Sequence, residues 1–205
     1  MKVNWPERVW VNSPVRRYVQ RQESLFFSRA GKLAPGGKCL EIGCGCGAGA
    51  RLIGRYFAPT EIHALDLDVE MLHAARKNGA RWNGLPLQLL AADAQELPYP
   101  DGTFDAVFNF GIIHHLENWR KGVTEIVRVL KDDGVFFFEE IYPPLYANPL
   151  FRRILDHPRE DRFDGPDFRA ALAAAGLRLL DGYKESRFAI LGIAVVGAKN
   201  FSPLQ

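Results

Sequence analysis

Residues 41–49 read Glu41-Ile42-Gly43-Cys44-Gly45-Cys46-Gly47-Ala48-Gly49. They join a short apolar stretch, residues 39–42, to a helical pattern that reaches Phe57. A buried strand that turns at once into a helix needs residues tolerant of unusual backbone angles. Glycine supplies that tolerance and lets backbone N–H groups approach a ligand closely. Gly43-x-Gly45-x-x-Ala48 also satisfies the dinucleotide fingerprint, with alanine in the last place. A tight turn with no ligand is the plain alternative.

Outward from this loop, strands and helices alternate. The spacing predicts strands at residues 62–65, 87–91, 104–109 and 135–138, with Asp66 ending the first of these. Asp68 and Asn118 are placed to cap the helices after the second and fourth strands. Residues 135–138 are Val-Phe-Phe-Phe, and so apolar a strand implies burial on both faces. Residues 141–165 break the rhythm with four prolines and many charges, and have room for short helices. A helix at 166–175 and strands at 177–180 and 188–196 close the pattern. Before the loop, Ser13 and Pro14 start an amphipathic helix reaching Ala30, with Val15, Tyr18, Val19, Gln22, Leu25 and Phe26 at helical spacing. Gly31 can end it, and Pro35-Gly36-Gly37 reads as a turn. The expected architecture is α/β: a Rossmann-like three-layer sandwich of about seven strands. One domain over 1–205 is expected, with a helical cover at 1–35, a cofactor-binding core at 36–140, a variable substrate-side insertion at 141–165, and a last helix and two strands at 166–205.

Three carboxylates narrow the ligand. Glu41 ends its strand two residues before Gly43, where it is awkward for a pyrophosphate and suits the ammonium and sulfonium of S-adenosylmethionine, directly or through water. Asp66 lies 25 residues on and can accept from both ribose hydroxyls, which serves either cofactor. Asp93 can accept from an adenine amino group while the N–H of Ala94 donates to the ring. Glu41 through Gly49, Leu65-Asp66-Leu67, residues 92–98 (Ala-Asp-Ala-Gln-Glu-Leu-Pro) and residues 101–105 (Asp-Gly-Thr-Phe-Asp), with Ile113-His114-His115-Leu116, together resemble class I S-adenosylmethionine-dependent methyltransferases, in the broad group that includes quinone-biosynthesis C-methyltransferases. The resemblance covers roughly residues 36–140. It implies a mostly parallel seven-stranded sheet with an antiparallel last strand. It also implies cofactor contacts from the Gly loop (Gly43, Cys44, Gly45, Gly47), Asp66, the apolar Leu67 against adenine, and Asp93-Ala94, with S-adenosylhomocysteine as product. Asn109 and Phe110 can touch the methionine part of the cofactor, or Asn109 can be a turn residue.

His114 and His115 follow the fourth strand at the edge where open α/β sheets bind ligands. One of them, with His115 preferred, is the candidate base, and the alternative is a capping or wall role. Glu139, Glu140 and Tyr142 reach the same edge from the fifth strand. Trp5, Trp10, Tyr18, Tyr142, Tyr146 and Phe151 fall in the segments expected to cover the pocket. They read as packing residues, or as an aromatic lid over an apolar acceptor. Arg152, Arg153, Arg159 and Arg162 are interleaved with acids and read as a solvated surface.

Composition bounds the rest. With 26 Lys and Arg against 24 Asp and Glu the net charge is +2, and nothing calls for nucleic acid. Residues 1–32 hold seven basic and two acidic residues; this reads as a solvated helix face, with contact to anionic lipid or substrate as the alternative. Cys39, Cys44 and Cys46 form neither a disulfide framework nor a zinc cluster, so no metal is expected. No leader or bilayer-spanning run is read, which points to a cytoplasmic protein without stable membrane insertion. The functional expectation is methyl transfer to a small-molecule or lipid-like acceptor by in-line displacement. A nicotinamide-dependent oxidoreductase and a non-catalytic S-adenosylmethionine-binding protein are the rivals, and oligomeric state is left open.

Overall fold

The computed structural model describes residues 5–30, 33, 36–79, 84, 87–146 and 161–197, without the side chains of residues 5–7. Gly31, Pro35, Phe151, Arg152, Arg153, Arg159 and the side chain of Trp5, all singled out above, lie outside the described residues. The elements are α1 (Trp5–Val11), α2 (Pro14–Ala30), β1 (Lys38–Ile42), α3 (Ala48–Phe57), β2 (Glu61–Asp66), α4 (Val69–Gly79), β3 (Leu87–Ala91), β4 (Phe104–Phe110), α5 (Trp119–Val129), β5 (Leu130–Ile141), α6 (Pro143–Tyr146), α7 (Gly165–Ala174), β6 (Leu177–Leu179), β7 (Lys184–Glu185) and β8 (Ala189–Val196). The strands form one sheet in the order β3-β2-β1-β4-β5-β8-β6, with the two-residue β7 also paired to β8. The pairs from β3 through β5 are parallel, and β8 runs antiparallel between β5 and β6. This is the Rossmann-like arrangement expected, with eight strands where about seven were read.

The capping residues act as the sequence suggests. Ser13 Oγ accepts from Arg16 N at 3.1 Å, Asp68 Oδ1 from Glu70 N at 3.0 Å, and Asn118 Oδ1 from Lys121 N at 3.0 Å. Asp164 and Asp167 form a reciprocal capping box, so α7 starts at Gly165. The fifth strand is longer than its apolar centre. It begins at Leu130 and passes through exposed Lys131, Asp132 and Asp133, the last with φ 62°, before the buried run.

Alternation across the pleat divides the core in two. Leu40, Ile42, Val107, Phe136 and Phe138 point to the side covered by α5 and α7, where Trp119, Ile126, Phe168 and Leu172 pack. Cys39, Ala106, Phe108 and Phe137 point to the other side, against Phe27 of α2, Ile53 and Phe57 of α3, and Leu72 of α4. Phe137 is the hub of this second layer. Its ring stacks on Phe108 at 4.6 Å and meets Phe57 at 5.2 Å and Phe27 at 5.5 Å. No described helix is long and apolar enough to cross a membrane.

One face assignment is overturned. The spacing of Val15, Tyr18 and Val19 marks the face a helix normally buries, yet in α2 those three are exposed. Gln20, Glu23, Ser24 and Phe27 are buried, with Arg16 beside them. Phe27 docks on the hydrophobic core with Phe26 packed against it, while Arg16 and Gln20 line the crevice at the strand ends and Glu23 pairs with Arg16.

Truncating Phe137 to alanine removes a ring with partners from three elements. We expect Phe137→Ala to cost about 3–5 kcal/mol, read as a lower urea midpoint with an unchanged slope.

Candidate functional site

A crevice opens at the carboxyl ends of β1 to β4, where the chain connections diverge on either side of β1. Its wall is built from Gly43, Cys44 and Gly45 of the loop, Asp66 and Leu67 after β2, and Asp93 and Ala94 after β3. Phe110, Ile112 and His115 come from the end of β4, and Val11, Asn12, Arg16 and Gln20 from α1, α2 and the turn between them. Most of the site residues expected from sequence therefore meet at one place. Glu41, Gly47, Asn109 and His114 lie outside this wall.

The loop is shaped from within. Gly43, Gly45 and Gly47 have φ of 67°, 52° and 84°. At Gly43 a Cβ would also lie 2.3 Å from Ile112 Cγ2, so both the angle and the space require glycine. Cys44 N donates to Leu65 O, Gly45 N to Asp66 Oδ2 and Gly47 N to Cys44 O, each at 2.8 Å. Three loop N–H groups are thus turned to partners inside the protein, not outward to a phosphate. Asp66 also accepts from Asp68 N through Oδ1 at 2.8 Å. Each oxygen keeps a further lone pair on the crevice side.

Glu41 sits beneath the loop, 1 % exposed, and its Oε2 has no hydrogen-bond partner. Burial pushes its carboxyl well above the usual carboxylate range, the Ala50 backbone N–H opposes this, and the charge of Asp66 adds to it. Gly49 makes the room: a Cβ there would lie 1.9 Å from Glu41 Oε1.

Behind the opposite wall is a second polar layer. Glu140, fully buried, accepts from Asn109 Nδ2 at 2.6 Å and Ile113 N at 2.7 Å, and its Oε2 lies 2.7 Å from His114 Nδ1. Asn109 is itself fully buried and accepts from Ile112 N at 3.0 Å. These residues hold the turn after β4, and the His114 ring lies 4.1 Å from that of His115 on the wall. Of the two histidines, it is His115 that reaches the crevice.

The aromatic lid does not form among the described residues. Trp10 and Tyr18 are exposed and Tyr142 and Tyr146 are buried, and none of them lines the crevice. Tyr142 Oη donates to Glu185, Tyr146 stacks on His114 at 5.5 Å, and Arg162 lies over the Tyr146 ring. Two wall residues, Arg16 and Gln20, escaped the sequence reading. Their signal is the polar stripe Arg16, Gln20, Glu23 and Ser24, which the apolar stripe on the opposite side overshadowed.

Arg16 donates to Glu23 Oε1 at 2.7 Å, Phe110 O at 3.0 Å and Glu139 Oε2 at 3.1 Å. Its guanidinium therefore gathers two carboxylates in a nearly dry place. Burial pushes Glu139 up to about 8, helped by the Glu23 charge and opposed by Arg16.

Residues 40–138 match a family described as a methyltransferase domain. The chain is 34% identical over 157 residues to a fatty-acid O-methyltransferase of Mycolicibacterium smegmatis, spanning 76% of this chain and 50% of that protein. It is 30% identical over 208 residues to a malonyl-[acyl-carrier protein] O-methyltransferase of Geobacter sulfurreducens, spanning 92% and 75%. The chain spans about half the length of the first of these relatives. Among solved structures, a SAM dependent methyltransferase from Aquifex aeolicus superimposes with a TM-score of 0.74 at 18% identity, over 96% of this chain and all of that one, a likeness of fold.

Two variants probe this geometry. Gly49→Ala drives a methyl into Glu41 and is expected to cost about 1–3 kcal/mol, with most of the cost gone in a Glu41→Ala background when thermal unfolding of the four proteins is compared. Glu139 ionises near 4.5 when unfolded but near 8 in the fold, so the native state holds the extra proton between those values and stability falls as pH rises through them. Glu139→Gln has no such proton; its Tm should pull ahead of wild type by several degrees from pH about 4.5 to about 8, then keep a constant lead.

Proposed function

The chain belongs to the class I S-adenosylmethionine-dependent methyltransferases, and from that premise we propose that it transfers a methyl group from S-adenosylmethionine to a small-molecule or lipid-like acceptor, releasing S-adenosylhomocysteine. The observation that carries this reading is the inward-bonded Gly loop over a buried, half-paired carboxylate. A pyrophosphate needs outward N–H groups and no negative charge below it. Here Cys44, Gly45 and Gly47 donate internally, and the Oε2 of Glu41 is buried beneath them without a partner. That environment favours a cationic ligand and disfavours a nicotinamide dinucleotide.

Residues along the crevice divide the work. Asp66 has lone pairs left for ribose hydroxyls, and Leu67 is exposed on the wall for the adenine face. Asp93 and Ala94 stand at the end of β3 for the purine edge. At the other end Arg16 lines the crevice with its guanidinium held by Glu23, Glu139 and Phe110 O. Glu41 lies beneath the loop as a buried carboxyl that burial biases toward its neutral form and that a cation above it would help to ionise. S-adenosylmethionine, when bound, provides a methyl already activated on sulfur, so position and exclusion of water are what the protein adds. His115 takes the proton from an acceptor reacting as a hydroxyl, amine or carbon acid; an acceptor that arrives as a carboxylate only has to be placed.

The acceptor class is drawn from the relatives: one is named for fatty acids, another for malonyl-[acyl-carrier protein], and a third, from Mycobacterium tuberculosis, for phthiotriol lipids. The three free cysteines fit a cytoplasmic setting.

By calorimetry, S-adenosylmethionine and S-adenosylhomocysteine should bind and NAD should not; binding of NAD alone would sink the reading. Asp66→Ala should weaken both ligands at least about tenfold, the scale of one lost hydrogen bond to a charged group. For an acceptor that must lose a proton, His115→Ala should keep cofactor affinity while turnover falls by about 10²–10⁴.

A further inference from the structure

Helix α2 leaves its outward side to be explained. Val15, Tyr18 and Val19 stand at i, i+3 and i+4 and are 58%, 63% and 39% exposed. The adjoining α1 exposes Val9 and Trp10 at 56% and 54%. Five of the ten large apolar side chains exposed among the described residues thus fall within residues 9–19. Exposed apolar residues scattered singly mean little, but a concentration of this kind marks a contact surface.

The charges say what it contacts. Arg17 and Arg21 follow the apolar stripe on α2, and Arg29 lies at the helix end; all three are exposed and form no ion pair among the described residues. Among the described residues the Arg17 guanidinium donates to the neutral carbonyl of Asn12. From Arg8 to Ala30 the single carboxylate is Glu23, and it is buried. The outward side of α2 therefore offers valine, tyrosine and arginine with no exposed acidic residue, and α1 adds Val9 and Trp10, its Arg8 being paired to Asp68 and Glu70. Tryptophan and tyrosine favour the boundary between hydrocarbon and water, and arginine favours anionic headgroups. A second copy of the same surface would set arginine against arginine. A single convex helix suits entry into a headgroup layer better than it suits a protein groove.

We propose that α1 and α2 form a peripheral docking surface for an anionic lipid bilayer. The inner side of the same helices lines the crevice through Val11, Asn12, Arg16 and Gln20. Docking would accordingly set the helices that wall the crevice between it and the lipid. The docking itself does not depend on methyl transfer and is measured without it.

The test is co-sedimentation of the full chain with vesicles of equimolar phosphatidylglycerol and phosphatidylcholine, against vesicles of phosphatidylcholine alone. Wild type should bind the anionic vesicles at least about tenfold more tightly, and high salt should weaken that binding. The triple variant Val15→Ser, Tyr18→Ser, Val19→Ser and the charge variant Arg17→Glu, Arg21→Glu should each lose at least about tenfold while keeping wild-type thermal unfolding. The charge variant leaves the apolar stripe intact, so it tests the idea even where the triple variant folds poorly. Trp10 fluorescence should move to the blue with anionic vesicles, and Trp10→Phe should abolish that shift. No vesicle binding, equal binding to neutral lipid, or undiminished binding by the charge variant would overturn the proposal. So would self-association through this face, or capture of an acidic acyl-carrier protein in its place. Cofactor calorimetry on the same samples separates the outcomes, because a protein can dock without binding S-adenosylmethionine and can bind it without docking.

Discussion

The carboxylate of Asp66 ties together the two pieces on which the crevice depends. It closes β2, accepts the N–H of Gly45 from the loop after β1, and accepts the N–H of Asp68 at the start of α4. Two neighbouring parallel strands therefore end in one hydrogen-bonded knot. Burial raises the Asp66 pKa, and the N–H groups of Asp68 and Gly45 oppose that rise. Once the loop is held this way, the N–H groups of Cys44, Gly45 and Gly47 are turned to partners within the protein.

Around that knot the protein separates dry and polar layers. The sheet interior is apolar on both faces, with Phe137 joining α2 and α3 to the strands. At the strand ends the buried groups become carboxylates, amides and one guanidinium. Glu140 binds the turn that carries His114 and His115, while Arg16 ties α2 to the end of β4 through Phe110 O. The helical cover is thus attached by Phe27 to the core, by Arg16 to the site and by Arg8 to Asp68 and Glu70 at the start of α4.

Periodicity and loop chemistry made most of the frame legible. The strand ends at Ile42, Asp66, Ala91 and Asn109 read correctly to within a residue, because each is a switch from apolar to glycine or polar residues. The fifth strand starts earlier than its apolar run, since Leu130 already pairs with Phe104 ahead of an irregular stretch through Lys131, Asp132 and Asp133 that composition does not mark. The apolar spacing of α2 divides along the helix: Val15, Tyr18 and Val19 are exposed, while Phe26 packs against the core. Its apolar stripe is real, but helical spacing says only that two faces differ, not which one is turned inward.

The sequence by itself determined the alternation of strands and helices, the Gly loop and the carboxylates that flank it, because these follow from local conformational preference and period. Tertiary structure decided which groups share the crevice. It set His115 on the wall and His114 behind it, lodged Glu41 under Gly49, and brought Arg16 to Glu139 across 123 residues of chain. Such meetings depend on strand order and on how a helix is rotated as it docks, and those come from the sum of long-range packing, which no local pattern encodes.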